Sequence, residues 1–472
     1  MNTTTPPTHT PTYEDLLRER EHLLTRIAEL EGKVEELLRR LNQNSQNSSR
    51  PPSSDGFRRS PGRKQQKQSG RKPGKQPGTP GAHLAQVDNP DRIFEFMPSE
   101  CRRCGGSLVG AEPVGMERRQ VRDIPEPKGM EVDEYRAVVL CCEGCGTATK
   151  AEFGPRVGAP VEYGPRTRAL AVYMVVYQHV PYERVREWFK DCYGEEISVG
   201  TLVAMVAEAG ARLEAPEGEI RELLKKAPVL HLDETGGRVN GKLHWIHAAT
   251  TPMLTLLQIH ARRGKQGTAS LGVLDGFAGV IQHDNWAPYR DWELEHALCN
   301  AHHLRELQGV AEMGRQGWAT RMGELLREIH RELDRSKAAG LPSLSPEMLK
   351  KFEDRYQAEI EQGYRTNPAP KRKRKWGKAG NLVGRLDQHR AEVLRFMYDF
   401  GVPFDNNQAE RDLRMVKLQQ KISGCWRSEA GAQAYLRVRS YLSTARKQGQ
   451  GMLAVLTAAF EDRPWMPAAA GP

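Results

Sequence analysis

Two aspartates end apolar, strand-like runs of the sequence. Asp233 follows PVLHL and Asp284 follows GVIQH, so each run delivers one carboxylate at its end. Carboxylate oxygens are ligands that Mg²⁺ and Mn²⁺ prefer. Two such ions, held about 4 Å apart, can activate an attacking hydroxyl and stabilise the leaving oxygen of an in-line phosphodiester displacement. The two acids therefore predict part of a site for metal-dependent phosphodiester chemistry.

The segment PFDNNQAERDLR supplies a third acid, Glu410. Asp405 and Gln408 have the spacing of a capping box, which predicts that a helix starts there with Glu410 in its second turn. Basic residues follow at helical spacing, so one side of this helix could lie along a phosphate backbone. These residues are Arg414, Lys417 and Lys421.

Spacing alone does not exclude other acids from the metal site, because 60 of the 472 residues are acidic. The neighbouring alternatives are Glu234, Asp275, Asp291 and Asp412. Topology favours Asp233, Asp284 and Glu410. The runs KLHWIHAA and MLTLLQIH predict two further strands after a turn at 236–240, and a helix is expected around Thr268–Phe277. Three meandering strands, a helix and a fourth strand fit a ribonuclease H-like sheet with acids on its first and fourth strands.

Five of the eight cysteines lie between Cys101 and Cys145. Two Cys-x-x-Cys-Gly knuckles, separated by 37 residues, have the spacing of a structural zinc site. Their four thiolates are Cys101, Cys104, Cys142 and Cys145, and Cys141 could replace Cys142. The stretches RRQVRDIP and EYRAVVL are expected to form strands of this zinc ribbon, over residues 98–150.

The N-terminal part carries a leucine heptad. Leu16, Leu23, Leu30 and Leu37 are seven residues apart, and Ile27, Val34 and Leu41 occupy the position four further on. This pattern favours a parallel two-stranded coiled coil over residues 13–43, with a homodimer formed through 13–42. A helix docked on its own chain is the alternative.

The formal net charge of +10 is concentrated in two segments. Residues 44–97 begin with a low-complexity stretch rich in Pro, Gly, Ser and Gln, which predicts a disordered basic linker. Its candidate DNA contacts are Arg58, Arg59, Arg63, Lys64, Arg71 and Lys72. The segment KRKRKWGK (371–378), which includes the run KRKRK, is the second basic segment. Such segments suit a polyanion such as nucleic acid, although solvated tails would have the same composition.

Residues 160–226 are predicted to be helical. A glycine turn at Gly194 and an N-cap at Ser198 separate two of the helices, which is the outline of a DNA-binding helix-turn-helix. Any two packed helices share this pattern. No apolar run is long enough to span a membrane, and the first residues do not resemble a secretory signal, so a cytoplasmic protein is expected.

Several segments together resemble one known family. LHLDETG (230–236), HDNWAPY (283–289), VPFDNNQAERDLRMVK (402–417), KISG (421–424) and STARKQGQ (443–450) are similar to the insertion-sequence-66 type transposases of bacteria. The heptad, the segments RPPSSDG and GRKPGKQPGTPG, and the zinc knuckles resemble that family's N-terminal half. The resemblance implies a DDE transposase with the triad Asp233, Asp284 and Glu410, as the topology also favours.

Three features depart from the family pattern or stay open. Cys299 and His302 form a Cys-x-x-His, for which a structural pair is favoured over a metal role. Cys425 and Trp426 stand where the family tends to have glycine and phenylalanine. Trp286 and Tyr289, beside Asp284, could stack on an unpaired base, although aromatic residues are more often in the core.

The expected fold is multidomain α+β. Its parts are a coiled coil, a zinc ribbon, a helix-turn-helix-like region, a ribonuclease H-like α/β catalytic core over 227–425 with a helical insertion at about 304–385, and a C-terminal helical tail over 426–472. Mg²⁺ or Mn²⁺ would be catalytic and Zn²⁺ structural. The expected partners are double-stranded DNA (transposon ends and target) at the bacterial nucleoid, and helper proteins from the same element. A non-catalytic zinc-ribbon regulator and a nuclease without strand transfer are the alternatives.

Overall fold

A computed structural model describes residues 12–41, 84–154, 157–314, 316–370 and 376–469. The chain divides into two compact units, one formed by 59–130 and the other by the rest. The basic residues proposed between Arg58 and Lys72, and the run 371–375, lie outside the described residues.

The first element is a single long helix. Helix α1 spans Tyr13–Leu41, as the heptad predicts. The four heptad leucines, from Leu16 to Leu37, are each between 46% and 58% exposed. The predicted dimer stays a prediction.

Residues 84–130 contain no regular strand or helix, so the strand predicted for RRQVRDIP (118–125) is wrong. Side chains of this stretch instead form hydrogen bonds with the backbone of residues 85–87. Arg118 and Gln120 donate hydrogen bonds to the carbonyl oxygen of Val87, and Arg122 donates one to Ala85. The predicted disordered linker, 44–97, stays a prediction.

A short hairpin encloses the second pair of knuckle cysteines. Strand β1 (Val139–Cys141) pairs antiparallel with β2 (Ala148–Lys150). Only the end of the run EYRAVVL is thus a strand. The two strands flank Cys142 and Cys145.

Residues 160–226 are helical, as predicted. The helices are α2 (Pro165–Val172), which continues as a π-helical turn over Tyr173–Tyr177, α3 (Tyr182–Tyr193), α4 (Val199–Arg212) and α5 (Glu214–Lys225). Gly194 adopts a left-handed conformation at the end of α3, and the Ser198 side chain accepts a hydrogen bond from the amide of Thr201. Both predicted helix boundaries are confirmed.

The larger unit contains a five-stranded mixed sheet. Its strands are β3 (Val229–Val239), β4 (Lys242–Thr250), β5 (Thr255–His260), β6 (Val280–His283) and β7 (Glu295–Leu298). The order is β5-β4-β3-β6-β7. The first three strands form an antiparallel meander, and β6 and β7 run parallel to β3.

Strand β3 continues six residues past Asp233, so the predicted turn at 236–240 is wrong. The chain reverses at Asn240 and Gly241, which both have positive φ and suit a tight hairpin turn. Gly237 lies inside the strand, where a Cβ atom would come within 2.4 Å of Ile246 Cδ1. The glycine therefore serves close packing and not the turn.

The helix predicted around Thr268–Phe277 is also wrong. Helix α6 is short and earlier, Lys265–Ala269. Gly272 and Gly276 have positive φ and interrupt any helix there. The loop still contributes Leu271, Val273 and Leu274 to the apolar core against the sheet.

The predicted helical insertion is present between β7 and the third acid. It comprises α7 (Asn300–Gly314), α8 (Gly317–Ala338), α9 (Pro346–Thr366), α10 (Lys378–Gln388), α11 (Arg390–Val393) and α12 (Arg395–Tyr398). These helices pack around an apolar core in which Trp318 and Tyr356 are buried, and Val229, Val280 and Leu298 of the sheet belong to the same core. A short 3₁₀ turn, Ala287–Asp291, precedes the insertion.

Three helices complete the described chain: α13 (Asn407–Ser423), α14 (Glu429–Lys447) and α15 (Met452–Phe460). The predicted C-terminal tail, 426–472, is not separate from the core. Ser440 and Thr444 of α14 accept hydrogen bonds from the amides of Leu257 and Thr255 on the outermost strand, β5. Helix α14 thereby covers an edge strand that would otherwise expose unpaired backbone groups.

None of the helices among the described residues is both long enough and apolar enough to cross a membrane.

Candidate active site

Asp233 and Asp284 lie at matching levels of two neighbouring strands. Strands β3 and β6 are parallel, and His231 pairs with Gln282. Asp233 is two residues beyond His231, and Asp284 is two residues beyond Gln282, directly after β6. The register therefore brings the two acids to the same part of the sheet, although Asp233 lies within its strand and not at its end.

The environment of Asp233 disfavours its charged form. Burial, followed by the nearby carboxylates of Glu234 and Asp284, holds the pKa of Asp233 well above its usual range. Glu410 raises this pKa further, whereas the Glu234 amide, 2.9 Å from Asp233 Oδ1, opposes the shift. Such a cluster of mutually repelling acids is a suitable environment for divalent cations.

Glu410 reaches this cluster from the first turn of α13. The predicted capping box is wrong: the N-cap is Asn406, and its side chain makes no capping bond. The Asp405 carboxylate accepts a hydrogen bond from the amide of Asn407, and the Gln408 side chain donates one to Asp412. The helix start is consequently set by contacts outside the local pattern.

Those contacts are made by Asn406, which is buried. Its side-chain amide donates to the carbonyl oxygen of Leu232, 2.7 Å away, and its Oδ1 lies 2.9 Å from His231 Nδ1. Its backbone amide donates to Cys299 Sγ at 3.1 Å. Asn406 thus joins β3, the start of α7 and the start of α13, the three places where Asp233, His302 and Glu410 are found.

Arg305 and His302 on α7 contact the third acid. Arg305 Nη2 donates to Glu410 Oε1 at 3.2 Å, and His302 Nε2 lies 3.8 Å from the same oxygen. Burial lowers the pKa of His302 and raises the pKa of the Cys299 thiol to about 12. Ligand atoms of Cys299, His302 and Glu410 lie within 4.8 Å of one another. The structure therefore places the Cys-x-x-His beside the predicted triad.

The transposase IS66 family model matches residues 160–434, more than half of the chain and all of this site. The protein belongs to the IS66 transposase family. A second model, of a family of unknown function (DUF6444), matches residues 4–85. No curated protein matches the chain significantly. As a member of a transposase family, the protein acts on DNA, and the family implies the use of divalent metal.

Two of the neighbouring acids in this transposase have partners of their own. The Glu234 carboxylate accepts hydrogen bonds from Arg263 and from the hydroxyl of Tyr289, the latter at 2.6 Å. Asp412 is paired with the Lys447 ammonium at 2.8 Å, both side chains being 13% exposed. Asp275 and Asp291 are exposed. These contacts favour structural roles for Glu234 and Asp412.

The two aromatic residues next to Asp284 differ in exposure. Tyr289 is buried, as expected of a core aromatic residue, and binds Glu234. Trp286 is only partly buried, and its ring stacks on the Arg263 guanidinium, with 4.3 Å between the charged carbon and the ring centroid. The centroid of the Trp245 ring lies 4.6 Å from the same guanidinium carbon.

The basic residues after Glu410 are not equivalent. Arg414 and Lys421 are exposed. Lys417 is half-buried, donates to the carbonyl oxygen of Gly236 at 2.8 Å, and has a pKa lowered by burial. Lys417 therefore fixes α13 to β3, whereas its two neighbours remain accessible.

The two cysteine knuckles have the same backbone geometry. Cys101 donates its amide to the carbonyl oxygen of Gly106 and accepts from Gly105. Cys142 donates to Thr147 and accepts from Gly146, at the same offsets along the chain. Gly105 and Gly146 both have positive φ, near 70°. The repeat of this turn favours Cys142 over Cys141 as the first cysteine of the second knuckle.

Several contacts of the site could not be found by sequence reasoning. Arg305, Asn406 and Lys447 each bind a partner more than 30 residues away. No local spacing signals such pairs. Asn406 lies in NNQAER and Lys447 lies in STARKQGQ, so the sequence pointed to these two residues only through the family resemblance of those segments.

Proposed function

We propose that this IS66 family member is a DDE-type DNA transposase that nicks transposon ends and transfers the released 3′-hydroxyl strands into target DNA. The observation that carries the proposal is the register of β3 and β6, which brings Asp233 and Asp284 to the same part of the sheet. Glu410, in the first turn of α13, is close enough to raise the pKa of Asp233, which supports its place as the third acid.

The donor set fits the metal that the family implies. The three carboxylates offer oxygen ligands, and the raised pKa of buried Asp233 shows that its charge lacks compensation from the protein. When bound, Mg²⁺ or Mn²⁺ would activate the attacking hydroxyl and stabilise the leaving oxygen. Asp233, Asp284 and Glu410 would hold these ions, while Arg305 keeps Glu410 oriented through Oε1.

A ribonuclease H-like core is part of the proposal. The antiparallel meander β3–β5, followed by β6 and β7 parallel to β3, agrees with that sheet. Helix α14 would belong to this core, since it covers β5.

The structural zinc would be bound by the thiolates of Cys101, Cys104, Cys142 and Cys145.

Double-stranded DNA would be held by accessible basic side chains. On α13, Arg414 and Lys421 are exposed and follow Glu410 on the same helix. Further contacts would come from the basic residues of the linker, from Arg58 to Lys72, and from the α3–α4 helix pair. A homodimer through α1 would bring two transposon ends together at the nucleoid, with helper proteins from the same element.

The decisive experiment incubates the full chain with labelled duplex carrying the ends of its element, with and without Mg²⁺. Asp233→Asn and Glu410→Gln should abolish nicking, whereas the exposed control Asp275→Asn should nick like the wild type. Equal nicking by all four proteins would overturn the catalytic assignment.

The same assay separates the competing functions. Joining of the released 3′ end to a second duplex supports a transposase, and nicking without joining would indicate a nuclease. Binding of the duplex without any nick would indicate a DNA-binding regulator.

A further inference from the structure

Cys299, His302 and Glu410 form a group whose chemistry differs from that of the carboxylate triad. They offer one sulfur, one nitrogen and one oxygen, all within 4.8 Å of one another. Mg²⁺ prefers oxygen ligands, while a mixed thiolate, imidazole and carboxylate set suits Zn²⁺. Three protein ligands with an open fourth position are typical of accessible zinc sites.

The spacing of these atoms is close to what zinc requires. Tetrahedral bonds of about 2.0–2.3 Å place ligand atoms roughly 3.3–3.8 Å apart. His302 Nε2 and Glu410 Oε1 are already 3.8 Å apart. Side-chain shifts of about 1 Å would therefore close the group around an ion.

The imidazole has a nitrogen without a partner in the described structure. His302 Nδ1 is buried and makes no hydrogen bond there. The nitrogen near Glu410 is Nε2, so an ion shared with Glu410 would bind Nε2 and leave the imidazole proton on Nδ1. Arg305 donates to the same oxygen, Glu410 Oε1, so an ion bound there would displace this hydrogen bond or require Glu410 to turn its Oε2 towards His302.

We propose that Cys299, His302 and Glu410 form a second, Zn²⁺-selective site that shares Glu410 with the magnesium site. Zn²⁺ bound there withdraws Glu410 from the triad, so that zinc inhibits magnesium-dependent strand cleavage. Binding displaces the Cys299 thiol proton into solvent. The binding itself is independent of the proposed function, and only the inhibition rests on it.

The direct test adds Co²⁺, a spectroscopic substitute for Zn²⁺, to the full chain and to Cys299→Ser. Serine keeps an oxygen that can accept the Asn406 amide hydrogen bond but is a poor zinc ligand. The difference spectrum between the two proteins cancels the contribution of the other seven cysteines. We expect a thiolate-to-cobalt charge-transfer band in the difference, which His302→Gln weakens and the exposed-thiol control Cys425→Ser leaves unchanged.

The second readout is the ratio of nicking rates with and without Zn²⁺ for each protein. Loss of the thiolate should raise the zinc concentration for half-inhibition by about tenfold or more. Circular dichroism checks that each variant is folded. Identical cobalt spectra for folded wild type and Cys299→Ser would overturn the zinc site. A cobalt band in a protein that never nicks would instead refute the proposed function alone.

Discussion

The side-chain amide of Asn406 donates a hydrogen bond to the carbonyl oxygen of Leu232, 174 residues away in the chain and 2.7 Å away in space. Leu232 directly precedes Asp233, and Asn406 directly precedes the helix that carries Glu410. One buried amide therefore fixes the position of two acids of the proposed triad relative to each other.

Replacement of Asn406 by alanine should reduce both stability and cleavage. The substitution leaves His231 Nδ1 and the Leu232 carbonyl without this partner, and each unsatisfied buried group costs about 1–3 kcal/mol. Asn407→Ala is the matched control, because the Asn407 side chain bonds only locally to Asp405. Chemical denaturation and the nicking assay measure the two effects. Similar losses in both variants would contradict a positioning role for Asn406.

Asp233→Asn should stabilise the metal-free protein at alkaline pH. The pKa of Asp233 is raised in the folded state, so its contribution to stability is present below the unfolded pKa and is lost as pH rises through the folded pKa. Asparagine avoids that loss. We expect an unfolding midpoint about 2–4 °C higher than wild type at pH 8, and a difference that shrinks towards pH 4.

Thermal unfolding in chelator, followed by addition of Mg²⁺, measures this effect. Mg²⁺ should stabilise the wild type and not Asp233→Asn, while the exposed control Asp275→Asn should behave like the wild type. A variant that is less stable than wild type at pH 8 would show that the Asp233 charge is compensated in the fold.

Gly210→Ala should destabilise the protein by disturbing the packing of α4 on α14. An added Cβ at Gly210 on α4 would lie 2.7 Å from Ala434 Cβ and 2.9 Å from its Cα on α14. Overpacking of this kind costs about 1–3 kcal/mol. Gly218→Ala on α5 has no atom within 4 Å of the new Cβ, so it should stabilise by about 0.5–1 kcal/mol. Denaturation midpoints that move in the same direction would contradict the close packing of α4 on α14.

Cys142→Ser should release zinc, whereas Cys141→Ser should retain it. Cys142 makes the same pair of backbone hydrogen bonds as Cys101, while Cys141 ends the strand β1. The zinc content of the purified full chain, measured by atomic absorption, distinguishes the two variants. Zinc loss in Cys141→Ser alone would reassign the ligand.

Leu23→Glu should convert a dimer into a monomer. Leu23 is on the heptad seam, where a buried charge would oppose association. The adjacent Leu24→Glu is the control, since Leu24 lies outside the two seam rows and is similarly exposed. Analytical ultracentrifugation measures the mass of each full-length variant. A wild type that sediments as a monomer would remove the proposed dimer altogether.

Sequence patterns succeeded where the physical signal is local. The heptad predicts α1, Ser198 predicts the start of α4, and apolar runs predict β4, β5 and β6, because periodicity and capping depend on neighbours in the chain. The same reasoning failed at the loop 270–277, where glycines with positive φ end a helix early.

The capping box at Asp405 shows why local reasoning has a limit. Its spacing is correct, but Asp405 accepts from the amide of Asn407 and Gln408 donates to Asp412, while the N-cap residue Asn406 makes tertiary hydrogen bonds to Leu232 and Cys299. Tertiary context can override a local preference of this kind.

The sequence by itself indicated which acids could bind metal, where the two Cys-x-x-Cys-Gly knuckles lie and which family the chain resembles, since residue type and spacing carry that information. The tertiary structure alone decided that Arg305 and His302 contact Glu410, that Lys447 pairs with Asp412, and that α14 covers the edge of the sheet. Those pairs form between residues distant in the chain, and they depend on how helices and strands pack and not on the order of neighbouring residues.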